Sequence, residues 1–238
     1  MQETLSMTSS WDKTFPKSET VAHEKITFHN RYGIALAADL YRPKGADGTL
    51  PAIAISGPFG AVKEQASGLY AQELAQRGFL TIAFDPSYTG ESGGYPRYVA
   101  SPDINTEDFC AAVDCLCVRP DVDPEGIGIL GICGWGGMAL NAAAVDTRIK
   151  ATVASTMYDM TRVNAKGYFD SEDSPQARYE KRKAMCDQRT IDYRNGSYAL
   201  AGGVPDGLEK FLCNSAFFVI KYKKNEWLAL WVLPATAQ

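Results

Sequence analysis

Four short, unbroken apolar runs constrain this chain more than anything else in it: PAIAIS (51–56), FLTIAF (79–84), GIGILG (126–131) and KATVAS (150–155). A strand that is solvated on one face alternates polar and apolar residues. Runs without alternation are what strands look like when both faces are covered. Helical segments separate them. Residues 66–77 carry Leu69, Tyr70 and Leu74 at three-to-four spacing, and Gly78 closes the segment. A second helix is expected over 106–119, with Thr106 as its cap, and a third over 138–145. Strands alternating with helices predict an α/β fold, a mostly parallel twisted sheet with helices on both faces. Ahead of this pattern, residues 24–30 and 33–41 read as an antiparallel hairpin around Asn30–Gly33. Ligands of such sheets bind beyond the carboxyl ends of the strands. That directs attention to the loops 56–64, 85–94, 131–137 and 155–163.

The chain has 238 residues, enough for one such domain. We expect a loose N-terminal arm over 1–20 and a single domain over 21–238. Within it, the polar stretch 165–207 suggests a helical cap, and 211–238 is an atypical aromatic tail with a strand at 217–222 and both Trp227 and Trp231. The net charge is −4 with no basic stripe, which argues against nucleic acid as a partner. No stretch reaches the roughly 18 apolar residues of a membrane span, and the start lacks a leader pattern, so a cytoplasmic location is expected. Six cysteines without that leader do not suggest a disulfide framework. Cys110, Cys115 and Cys117 form no CxxC pair and have no nearby histidine, so no metal site is expected; they read as small core residues.

The chemistry concentrates at Gly131-Ile-Cys133-Gly134-Trp135-Gly136-Gly137, between an expected strand and an expected helix. That context gives a G-x-(Ser/Cys)-x-G bend its meaning. The nucleophile sits on a strained turn, glycines two residues either side are expected to let strand and helix approach, and its side chain projects above the sheet. Cys133 is therefore the candidate nucleophile. The Gly134 N–H is the candidate first oxyanion donor, and the helix start is expected to lower the thiol pKa. A second donor is expected from the loop after 51–56. Pro58 has no N–H, which leaves Phe59. Trp135, Tyr88 and Phe59 would make an aromatic mouth for substrate.

The segments SGPFGAVKEQ (56–65), FDPSYTGESGG (84–94) and GICGWGGMALNAAA (131–144) carry a resemblance. In this order the sequence resembles the α/β-hydrolase superfamily, close to its dienelactone-hydrolase-like branch, over residues 24–160. The resemblance implies a Cys-His-Asp triad, no metal or organic cofactor, and a small-molecule ester or lactone as substrate. It also reads Lys63, Glu64 and Gln65 as loop anchors, and Asp85, Tyr88 and Ser92 as structural hydrogen-bonding residues. The superfamily order is nucleophile, acid, histidine. Here the only histidines are His23 and His29, and no histidine follows Cys133. Asp159 is the best-placed late acid, and without a histidine to orient it reads as structural. The sheet is accordingly expected to be incomplete at its C-terminal edge, with the tail covering that edge or pairing with a second copy as a homo-oligomer. Three functions stay open: a cysteine-dependent hydrolase with impaired turnover, a non-catalytic binding protein that keeps the fold, or a redox-sensing thiol at Cys133.

Overall fold

The computed structural model describes residues 4–200 and two later strands, 220–223 and 226–229. The chain divides into two units, 1–198 and 199–238. The first holds a six-stranded sheet, in sequence numbering ordered β1-β2-β4-β3-β5-β6. β1 (Val21–His29) and β2 (Ala35–Pro43) form the expected hairpin, in register from Val21 opposite Pro43 to His29 opposite Ala35. Its turn is closed by the Asn30 side chain, whose Oδ1 accepts from the N–H groups of Tyr32 and Ile34, both at 3.0 Å. β2 runs antiparallel to β4 (Leu80–Phe84). β4, β3 (Leu50–Ser56), β5 (Val122–Ile132) and β6 (Ala151–Ser155) are parallel to one another. This is the α/β-hydrolase fold.

Alternation along the strands sorts side chains into two cores. Leu80, Ile82 and Phe84, with Ile127 and Ile129, face α2 (Pro102–Cys117) and α3 (Trp135–Val145), joined by Phe109, Leu116 and Trp135. Ala83, Ile55, Leu130 and Ile132 face the other way, toward Ala71 and Ala75 of α1 (Ala66–Ala75). Each large side chain so buried contributes about 1.5–3 kcal/mol. Cys110, Cys115 and Cys117 pack at the margin of the first core. Several boundaries differ from expectation, and three of them have a local reason. α2 begins at Pro102, because Ser101-Pro102 starts it and the polar Asn105 and Asp108 turn inward to a buried hydrogen-bond network with Ser87 and Asn30. β5 begins at Val122, its polar Asp123-Pro-Glu125 stretch lying at a register shift against β3. α3 begins at Trp135 despite two glycines in its first turn.

Beyond β6 lie α4 (Met160–Lys166), a short turn at Tyr168–Asp170, and α5 (Pro175–Asn195), which buries none of its residues. Residues 201–207 of the expected cap, and most of the tail with Trp231, lie outside the described residues. In the second unit β7 (Ile220–Lys223) pairs antiparallel with β8 (Glu226–Ala229); β7 overlaps the strand expected over 217–222, of which 217–219 lie outside the described residues. Among the described residues, no helix is long and apolar enough to cross a membrane.

The N-terminal arm is not loose. Phe15 is buried in the α1-side core with Trp11 beside it. The Thr14 N–H donates to the Glu64 carbonyl at 3.0 Å, and Gln72 binds both the Ser18 N–H and the Pro16 carbonyl. The reason is electrostatic. Lys13 reaches Asp39 at 2.9 Å and Asp12 at 2.6 Å with its side chain fully buried, while Asp39 also meets His23 at 2.8 Å. Lys25 joins Asp12 to Glu91. At the centre Lys63, wholly buried, touches Glu64 at 2.5 Å, Glu91 at 2.7 Å and Asp85 at 3.0 Å. Burial opposes the charge on Lys63, but Asp85 and Glu64 outweigh it and its pKa is raised. Burial and the nearby Asp85 push Glu64 up to about 7 against the pull of Lys63. The carboxylates of Asp12, Glu64 and Glu91 converge within 4.8 Å, and lysine ammonium groups already occupy that convergence.

Removing one member of a buried ion cluster strands the others, at a cost of about 3–5 kcal/mol. Lys63→Met should therefore lose about that much stability in urea unfolding. A loss below about 1 kcal/mol would contradict this account of the cluster.

Candidate active site

Between the last residue of β5 and the first of α3 the chain turns on Cys133, whose φ of 58° is left-handed. That conformation costs a non-glycine residue about 1–3 kcal/mol and needs support from its surroundings. Two hydrogen bonds supply it: the Cys133 N–H donates to the Ser155 carbonyl on β6 at 2.9 Å, and the Gly136 N–H donates to the Cys133 carbonyl at 3.0 Å. The approach of strand to helix is close enough that a Cβ on Gly131 would lie 2.2 Å from the Trp135 carbonyl oxygen. A Cβ on Gly134 would overlap the Phe59 ring at 1.9 Å and meet Met160 at 2.8 Å.

Trp135 stands two residues after the thiol, where the G-x-C-x-G pattern has its second glycine. The structure accommodates it by sending the indole into the core, with ring centroids 5.8 Å from Phe59 and 6.3 Å from Phe109. The room comes from the opposite loop, where a Cβ on Gly57 would lie 2.7 Å from that of Trp135. Trp135 is thus a buried packing residue and not part of a substrate mouth. Tyr88, also at positive φ, lies in the 85–94 loop with its ring against Gly94, and it does not line the cavity beside the bend. Of the three expected aromatics, Phe59 alone lines that cavity.

The thiol is half-buried. Burial pushes its pKa up, and the backbone N–H groups of Gly134 and Phe59, the two amides that act on the sulfur, pull less strongly the other way. The two amides singled out in the sequence therefore converge on one atom. The expected lowering of the thiol pKa by the helix start does not occur: desolvation outweighs it, and no cation stands beside the sulfur among the groups acting on it. The Phe59 turn is itself anchored, since the Lys63 N–H donates to Asp85 Oδ1 at 2.7 Å and Asp85 Oδ2 accepts from Lys63 Nζ and from the Glu91 N–H. Ser92 completes the anchor by donating to the Asp85 carbonyl and accepting from the Ala37 N–H.

Neither histidine sits near this bend in the sheet order. Both lie on β1 at the edge, with β2, β4 and β3 between them and β5. Asp159 caps α4, accepting from the Thr161 hydroxyl at 2.6 Å and the Arg162 N–H at 3.0 Å, which holds its pKa below the usual carboxylate value. The cavity encloses about 400 Å³ and is lined by Phe59 and Gly134 together with Met138, Leu140, Met157 and Met160. The methionines went unread as site residues. Their signal was position alone, since Met157 and Met160 fall in the 155–163 loop.

A raised thiol pKa has a direct consequence. Iodoacetamide should label Cys133 more slowly at pH 7 than Cys186, which is exposed on α5, and the Cys133 rate should still be rising above pH 9. Peptide mass mapping of both sites reads this. Faster labelling of Cys133 at pH 7 would contradict it.

Residues 32–195 match the family model described as X-Pro dipeptidyl-peptidase (S15 family). The Pseudomonas aeruginosa protein PA2218 is 65% identical over 196 residues, which is 82% of this chain and 53% of that protein. Escherichia coli YcjY is 40% identical over 182 residues, 75% of this chain and 59% of YcjY. The thiohydrolase aneE of Aspergillus aculeatus is 33% identical over 137 residues, 58% of this chain and 42% of aneE. The chain thus spans about half the length of the curated relatives it matches. Among solved structures, that of PA2218 superposes with a TM-score of 0.84 at 60% identity, over 89% of this chain and 67% of the other. The α/β hydrolase GrgF from Penicillium superposes with a TM-score of 0.64 at 23% identity, over 79% of this chain and 63% of GrgF, a likeness of fold alone. With this sheet, this bend and a family match over 32–195, the chain belongs to the S15 X-Pro dipeptidyl-peptidase family.

Proposed function

We propose that this chain carries out acyl transfer to a thiol: Cys133 takes the acyl group of an ester, lactone or thioester, and the Phe59 and Gly134 amides hold the oxyanion. One observation carries the reading, namely a half-buried thiol on a strained bend with the backbone N–H groups of two separate loops acting on it. In the step itself, the thiol loses its proton to solvent and its sulfur bonds to the carbonyl carbon. The carbonyl oxygen becomes negative between the two amides, and the C–O or C–S bond to the leaving group then breaks. Donors fixed at such an oxygen are worth about 10²–10³-fold in rate each. Relatives named thiohydrolase, polyketide transferase and acyltransferase, at 33%, 32% and 29% identity, favour acyl donors of this kind. The cysteine-bearing bend is also what the dienelactone-hydrolase-like resemblance predicts. A reducing compartment such as the cytoplasm suits a catalytic thiol.

Release of the acyl group is the weak step. Among the described residues no imidazole is placed to activate water, so the acyl-enzyme accumulates. This favours a single acylation over rapid turnover, and it makes acylation faster as pH rises and the thiol ionises.

With p-nitrophenyl acetate the protein should give a burst near one equivalent of p-nitrophenolate, followed by slow or no turnover. The burst rate should climb with pH, and intact mass should show one acetyl group. Cys133→Ala should show neither burst nor adduct. Equal bursts from both proteins would overturn the proposal.

A further inference from the structure

The cavity beside the thiol has a composition that goes beyond the bend itself. Phe59 and Gly134 present their N–H groups to the sulfur and also line the cavity, so the site of attack and the cavity share two residues. From there it continues along Leu140 of α3 to Met157 and Met160 after β6, with Asn141, Asp159, Thr161 and Asn164 as the polar part of its lining. Leu140 and Met157 are large apolar side chains left 46% and 43% exposed. Met160 stands directly over Gly134, close enough that a Cβ there would lie 2.8 Å from its Cγ. A volume of about 400 Å³ is toward the lower end of the roughly 300–1,000 Å³ of small-molecule sites.

Resting on the acyl-transfer reading, we infer that this cavity is the acyl-chain site and takes an unbranched apolar chain of medium length, with Met157 and Met160 as its adjustable wall. The inference follows from the side chains. A rigid aromatic slot selects flat rings. Unbranched thioethers with three rotatable bonds close around a narrow flexible chain and adapt as it lengthens. Filling the cavity with such a chain also covers the apolar surface that Leu140 and Met157 leave open. Because an acyl carbon held between the Phe59 and Gly134 amides already lies at the cavity wall, the chain enters without crossing the bend.

The test compares p-nitrophenyl acetate, butyrate, hexanoate and octanoate as acyl donors to Cys133. In each case sulfur bonds to the acyl carbon and p-nitrophenolate leaves. The rate constant for acylation should rise by about four-fold per added methylene up to the length the cavity holds. Met160→Trp, which fills the space, should collapse the octanoate-to-acetate ratio toward one. A measurement on the unaltered protein guards against a variant that does not fold. After acylation, brief peroxide treatment and mass mapping should find Met157 and Met160 protected in the octanoyl protein and not in the acetyl protein. Met185, exposed on α5, should oxidise equally in both. Absence of any Cys133 adduct would overturn the acyl-transfer reading and this inference together. An adduct with a flat chain-length profile, or with unchanged methionine oxidation, would overturn the acyl-chain site and leave the thiol chemistry standing.

Discussion

Everything at this site depends on one residue held where its backbone does not relax. Cys133 sits at φ 58° because the chain must pass from β5 to α3 in two residues, and β6 holds the bend by accepting its N–H at Ser155. The same bend leaves the sulfur half-buried and brings the Gly134 amide to it. A bulkier backbone would not close: Gly131 and Gly134 both lie against atoms that a Cβ would strike. Trp135 shows how the packing adjusts around this constraint. It occupies a position where the pattern has glycine, and Gly57 on the facing loop supplies the missing space.

The second amide comes from a different part of the chain and needs its own support. The Phe59 turn is tied to the 85–94 loop through Asp85, and Lys63 ties both to Glu64 and Glu91. The N-terminal arm closes the set, with Thr14 on the Glu64 carbonyl, Lys13 on Asp39 and Thr8 on Glu91. A buried ion cluster is an expensive way to join segments, since desolvation works against each charge. What it provides is direction: each ammonium accepts only an arrangement that brings its carboxylates together. A donor distant in sequence is thereby brought to the same sulfur as a donor next to it.

The sheet and the bend were legible in the sequence because burial on both faces of β3, β4 and the end of β5 leaves unbroken apolar runs, and because glycines mark the place where strand and helix converge; β6 carries the same kind of run at an exposed edge. Cys133, Phe59 and Gly134 could be named from that pattern, and the structure brings them together. What was not legible depended on long-range partners. Lys13 and Lys25 look like surface lysines until Asp12, Asp39 and Glu91 are set beside them, whereas Lys63, Glu64 and Asp85 were expected as anchors of their loops and are found joined to one another. Asn105 and Asp108 hid the start of α2, since their partners are Asn30 and Ser87, far away in sequence. The thiol pKa was misjudged in direction because a helix start is visible in sequence and the burial opposing it is not. Trp135 and Tyr88 were expected at a mouth on the strength of being aromatic, while packing sends one into the core and the other against Gly94.

The account stands on two amides from separate loops meeting at one sulfur. Amide proton shifts of Phe59 and Gly134, followed by NMR as pH rises, test this most directly. Both resonances should move together, with a common midpoint above the ordinary thiol value of 9.0, and both movements should vanish in Cys133→Ala. If neither resonance responds, or only Gly134 does, the sulfur is not where the two donors converge and the proposed chemistry has no seat.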